Sequence, residues 1–282
     1  TAPARARESA NAHHGTLTMK QTLRLIRTFL AAATVATASG AYATTPVTNY
    51  SDLWAAPDEP GWGLNVSQQA DTLFVTLFTY DKGERAVWYS ATLTYQSTGA
   101  NGAKSYAGDL YETTGPALGQ PYDPRLVVYR QVGRMTVDFG DAAHALLVYS
   151  VDGVLVTRQV GRLTFATQTL AGDYIGATSD VTYDCKDPAR NGLVTTDPGP
   201  FTIRQEGGDL VLRFPTCTFT GKYTQQGQIG EVDSIYECTH LGVGETRFTS
   251  LRADRGGITG VYEGRDKSCR FRGNVGGMRV LE

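Results

Sequence analysis

Residues 217–238 admit one strand register, and that register constrains the fold more than any other stretch. With a turn at Gly227-Gln228, Gln226 faces Ile229, Tyr223 faces Val232, Phe219 faces Tyr236 and Cys217 falls opposite Cys238. The alternate set places Lys222 against Asp233, Thr224 against Glu231 and Thr218 against Glu237. One face is apolar and the other polar, and a slip of one residue would exchange them. Directly opposed Cβ atoms lie about 4.5–5.5 Å apart, close to what a disulfide requires. The chain has four cysteines, Cys185, Cys217, Cys238 and Cys269. Four allow three connectivities. The hairpin selects Cys217–Cys238, and Cys185–Cys269 follows by elimination. Bridging Cys185 and Cys269 would tie the first strand of this region to the last, as barrel closure requires.

Disulfides imply an oxidising compartment, and the start of the chain agrees. Met19 to Arg27 is a positive region, Thr28 to Thr37 is apolar and alanine-rich, and Ala41-Tyr42-Ala43 is a small-x-small cleavage site. Residues 19–43 read as a signal peptide and 1–18 as an upstream or disordered leader. The mature chain would begin at Thr44, periplasmic or secreted. The apolar run is shorter than the roughly 20 residues a membrane span needs, so no transmembrane segment is expected after cleavage. Residues 1–43 hold five basic residues and one acid. The remainder has 21 basic and 27 acidic residues, a net charge of −6. An acidic body without a basic stripe excludes nucleic acid as the expected partner.

Residues 44–166 and 167–282 read as two all-β domains, each an antiparallel meander that forms a barrel or a sandwich. Hairpins mark both. Ala70-Asp71 as a two-residue loop puts Leu64 opposite Leu77, Val66 opposite Val75 and Gly63 opposite Phe78. A bare glycine facing an aromatic lets the ring fold over the backbone. Both faces of 72–80 are apolar or aromatic, which predicts a central strand buried on both sides. Further strands are expected at 85–95, 105–111, 126–139 (broken near Gly133), 145–150 and 154–165. In the second domain Gly172–Gly176 opens the meander, and Gly207-Gly208 turns a hairpin with Ile203 opposite Leu212. Later strands are expected at 246–253, 258–264 and 269–275.

The stretch Trp54-x-x-Pro57-x-Glu59-x-Gly61-Trp62-Gly63-Leu64-Asn65-x-x-Gln68 resembles the opening of a family of exported bacterial β-proteins. The resemblance continues through Asp71–Phe74, Phe78–Asp81, Trp88-Tyr89, Leu110–Ala117, Asp123-Pro124 and Val132–Thr136. It covers most of 50–160 and implies an exported β-domain without implying an activity. Ala55, Ala56, Pro60 and Leu77 stand where relatives often carry Trp, Asn, Ser and Trp, which implies a depleted aromatic platform here.

The sequence carries no metal-ligand spacing and no nucleophile, phosphate-cradle or dinucleotide motif, so neither metal nor cofactor is expected. His144 and His240 read as solvated loop residues. Asp58 and Glu59 beside Trp62 are weak catalytic candidates for glycan hydrolysis by a raised carboxyl; the plainer reading is a turn capped by carboxylates. Trp54, Trp62, Asn65, Gln68, Trp88 and Tyr89 are candidate ligand-binding residues, aromatic surface with amide donors suited to a sugar or peptide. Trp62 and Trp88 read more readily as core, and Trp54 fits either role. The expected function is an exported, non-catalytic binding or structural module of the envelope, its partner a glycan or an envelope protein. A carboxylate-dependent glycan hydrolase is the alternative.

Overall fold

The computed structural model describes residues 48–280; the leader and signal-peptide readings lie outside that range. Residues 48–280 form two closed eight-stranded antiparallel barrels in sequence. The first contains β1 (Asp52–Ala55), β2 (Gly63–Gln69), β3 (Thr72–Tyr80), β4 (Ala86–Thr98), β5 (Lys104–Thr114), β6 (Val128–Phe139), β7 (His144–Val151) and β8 (Val154–Arg162). The second contains β9 (Gly172–Tyr183), β10 (Val194–Glu206), β11 (Asp209–Arg213), β12 (Cys217–Gln226), β13 (Ile229–Cys238), β14 (Gly242–Ala253), β15 (Gly257–Arg265) and β16 (Arg270–Arg279). Each strand pairs with its sequence neighbour, and β1–β8 and β9–β16 close the rings. No helix among the described residues is long and apolar enough to cross a membrane.

The expected registers hold. Gly63 pairs with Phe78 and Leu64 with Leu77, Ile203 with Leu212, and Cys217 with Cys238. Both disulfides form as expected, Cys185–Cys269 and Cys217–Cys238. The break expected near Gly133 is a bulge instead. Leu110 pairs with Gly133 and Tyr111 with Gln131, leaving Val132 as the extra residue. Two strands exceed expectation. β10 runs through Pro198 and Pro200, where it pairs with β9 alone; that free side needs no N–H donor, which is where proline is tolerated. β1 is short and sits where only a loop entry was expected.

Burial of both faces of β3 is not observed. Leu73, Val75 and Leu77 are fully buried, whereas Phe74, Phe78 and Tyr80 are exposed. A closed barrel has one inside, and among the described residues no second layer covers this outside. Trp88, paired with Phe78 on the outer face of β4, is exposed for the same reason, which corrects its reading as core.

Both barrels are closed by one device. Trp54 on β1 is buried and donates from Nε1 to the carbonyl of Tyr50 at 3.0 Å. The guanidinium of Arg162, the last residue of β8, lies 4.9 Å from its ring centroid. In the second barrel the Tyr174 hydroxyl donates to the Leu170 carbonyl at 2.7 Å. Arg279, the last residue of β16, lies 5.0 Å over that ring and donates to Ala171 O at 2.6 Å. In each case a strand-end arginine caps an aromatic of the first strand and ties down the entry segment.

Arg162 does more than Arg279. Its side chain is 1% exposed and pairs at 2.9 Å with Asp52, 5% exposed. It also donates to the carbonyls of Ala142 at 2.7 Å, Ser51 at 3.3 Å and Asn49 at 2.5 Å. Burial pulls the guanidinium below its ordinary pKa, opposed by the hydrogen bond and charge of Asp52. The same Asp52 Oδ2 accepts the backbone N–H of Gln228, in the β12–β13 turn of the second barrel, at 2.8 Å. Gly227 in that turn has φ +60°, and a Cβ there would meet the Asp52 carboxylate and the Arg162 side chain. Gln225 completes the join, donating to Ala166 O and accepting from Gln168 N, both at 2.8 Å.

Removing one partner of a buried ion pair strands the other. Arg162→Met is therefore expected to lower unfolding stability by about 3–5 kcal/mol. Arg204→Ala, at an exposed pair with Asp173, is expected to cost less than about 1 kcal/mol. Urea denaturation of both variants checks the contrast.

Candidate functional site

The six aromatic and amide residues singled out in the sequence do not converge. Trp54 is committed to closing the first barrel. Gln68 accepts the Tyr50 N–H at 2.7 Å and donates to Ala70 O at 2.9 Å, so its amide fixes the entry segment. Tyr89 points into the core, and burial raises its hydroxyl pKa. Trp62 is half-buried against the core at the opposite end of the barrel from Arg162. Its indole donates to Glu59 Oε2 at 3.1 Å, and the same oxygen accepts Arg158 Nε at 2.7 Å. Glu59 thus links a tryptophan and an arginine, rather than capping the turn backbone. Asp58 is exposed. Only Asn65 and Trp88 lie on one surface.

That surface is the outer face of β2, β3 and β4. Phe74 (51% exposed), Phe78 (39%), Tyr80 (54%) and Trp88 (50%) stand on it. The pleat places them there: residues two apart point the same way, and even-numbered residues of β3 and β4 point outward. Phe78 also covers Gly63, where a Cβ would sit 3.2 Å from the ring. Between the aromatics runs a row of short polar side chains on paired positions, Asn65, Thr76 and Ser90. No charged residue stands in Gly63–Gln69, Thr72–Tyr80 or Ala86–Thr92; Asp71 lies in the turn between the first two strands. The nearest arginine on β6, Arg134, is taken up by Asp109 at 3.4 Å. The surface offers apolar rings flanking hydroxyl and amide groups, without a net charge to attract an ion.

Phe74, Phe78 and Tyr80 were missed by sequence reasoning because their alternation with Leu73, Val75 and Leu77 is apolar throughout. Only the closure of eight strands tells which set faces water. Inside the second barrel Tyr262 donates to Asp180 at 3.0 Å across the bare backbone of Gly273. Burial raises the pKa of both groups, and they pack within the barrel rather than on an open surface. Among the described residues no group of three His, Cys, Asp or Glu side chains is placed to hold a metal ion. Comparison with protein-family models, curated proteins and solved structures yields no match.

The two tryptophans that differ most in burial separate core from surface. Trp54→Ala is expected to cost about 3–5 kcal/mol, the range for a buried aromatic truncation. Trp88→Ala is expected to cost less than about 1 kcal/mol, the scale of a cross-strand pair. Chemical denaturation followed by circular dichroism measures both.

Proposed function

We propose that the chain is an exported, non-catalytic binding module of the bacterial envelope, and that it takes a neutral glycan on the outer face of β2–β4. The observation that carries this reading is the exposure of four aromatic side chains on adjacent strands, with no other described residue packed over them. Contiguous exposed apolar surface on a soluble domain marks an interaction site. A sugar ring presents an apolar C–H face and a rim of hydroxyls. Rings such as Trp88 and Phe78 match the first, and Asn65, Thr76 and Ser90 match the second. The disulfides and the signal-like start support an extracytoplasmic location.

The hydrolase alternative has less support. Glycoside hydrolysis commonly uses two carboxyl groups roughly 5–9.5 Å apart. The polar partners of Glu59 are Arg158 and Trp62.

A glycan array on the purified protein tests the proposal. The expected result is binding to uncharged glycans without turnover, weakened at least about tenfold, or 1.4 kcal/mol, by Trp88→Ala in a variant that keeps its circular dichroism spectrum. Absence of glycan binding, or unchanged binding by Trp88→Ala, would contradict it. Turnover abolished by Glu59→Gln would establish the hydrolase instead.

A further inference from the structure

The aromatic face extends beyond β2–β4, and its ends show what shape of ligand it fits. Cross-strand pairing aligns Leu53, Asn65, Thr76, Ser90 and Tyr111 in one row from β1 to β5. Phe74 stands on one side of this row, with Phe78 and Trp88 on the other. Strands lie about 4.8 Å apart, so the row with its continuation onto β6 measures about 24 Å along the curved outer surface of the closed barrel. A hollow of about 630 Å³ sits at the β5–β6 end, lined in part by Phe74, Ser90, Tyr111 and Tyr129 and by the mutually paired Arg134 and Asp109. A second, of about 610 Å³, sits at the β1 end. There Leu53, Asn65, Leu163, Phe165 and the second barrel's Gln228 contribute to the lining. Phe165 belongs to the linker 163–171 and is 75% exposed. Its neighbours Thr164 and Ala166 are tied to the second barrel through Gly227 N and Gln225 Nε2, both at 2.8 Å. The join between the barrels therefore holds an exposed aromatic at the end of the row.

We infer that this row is a track for an extended, uncharged polysaccharide chain running across the strands, with Phe165 as the platform for its far end in the cleft between the barrels. The inference rests on the glycan reading of the outer face and adds to it a chain length and a direction. Three features select this occupant. The five residues of the row are uncharged, and the Arg134 and Asp109 side chains at its end neutralise each other. Aromatic rings flank its hydroxyl and amide groups on both sides, apolar faces beside polar rims as sugar rings require. The strands beneath it are paired on both sides along this row, so an extended peptide would find no free strand edge for its backbone.

The test is calorimetric titration of the full chain with two oligomer series, β-1,4-linked N-acetylglucosamine and β-1,4-linked glucose, from dimer to hexamer. In at least one series affinity should rise at least about tenfold from dimer to hexamer. Phe165→Ala should remove that gain, and Trp88→Ala should weaken every length. Phe165 is exposed, and a matching thermal melt confirms that its variant is folded. Equal affinity at all lengths, or a hexamer unaffected by Phe165→Ala, overturns the track while leaving glycan binding standing. No binding in either series overturns both. Sedimentation that shows a dimer abolished by Trp88→Ala would assign the face to a second copy of the chain and overturn the inference. Competition of the bound hexamer by an uncharged extended peptide would overturn it in favour of a peptide ligand.

Discussion

A buried guanidinium holds this structure together at its joint. Arg162 is removed from water, which is costly for a charge, and the cost is offset by five-donor geometry that few side chains could match. Asp52 neutralises it, three backbone carbonyls accept from it, and the Trp54 ring lies beneath it. Those partners come from the entry segment, β1 and the β6–β7 turn, so one side chain gathers elements more than a hundred residues apart. The pair reaches further because Asp52 has acceptor capacity to spare. It accepts the Gln228 N–H of the second barrel, and the turn can come that close because residue 227 is glycine. A salt bridge within one barrel is thus also the seat on which the other is docked.

The second barrel divides its fastening between its two ends. The end facing the joint carries Arg279 over Tyr174 and the Gly227 turn. Both disulfides lie at the other end. Cys217 and Cys238 begin β12 and end β13, Cys185 follows β9 and Cys269 precedes β16. In the chain-entropy picture the bridge separated by 84 residues constrains the unfolded chain more than the one separated by 21. The first barrel has no disulfide and relies on a fuller apolar interior, from Leu64 and Val75 to Met135 and Phe139.

Local pairing was legible in the sequence because hairpin arithmetic needs only a turn and a side-chain pattern. The Cys217–Cys238 and Gly63–Phe78 registers are both of this kind. Contacts that depend on closure were not legible. Arg162 and Trp54 are 108 positions apart, and nothing local marks them as partners. Trp88 was read as core because an aromatic on an apolar strand is ordinarily inside; counting to eight strands and closing the ring is what puts it outside. The strand through Pro198 and Pro200 was hidden for a related reason. Proline argues against a strand until one knows that the strand's other side is free. The candidate site was legible in Asn65 and Trp88 alone. Its remaining aromatics, Phe74, Phe78 and Tyr80, are strand residues whose exposure is a property of the whole barrel.

The joint and the outer face are connected by the linker. Fixing residues 163–171 against the second barrel also fixes Phe165 at the end of the row that begins on β1, so the interaction that docks the barrels shapes the surface proposed to bind. The most direct test is nuclear magnetic resonance on ¹⁵N-labelled protein titrated with a neutral β-1,4-linked hexasaccharide. Shift changes are expected along Leu53, Asn65, Thr76, Ser90 and Tyr111 and at the Trp88 indole, with Asp180 and Tyr262 inside the second barrel unmoved. Perturbations confined to the barrel interiors, or none at saturating hexasaccharide, would contradict it.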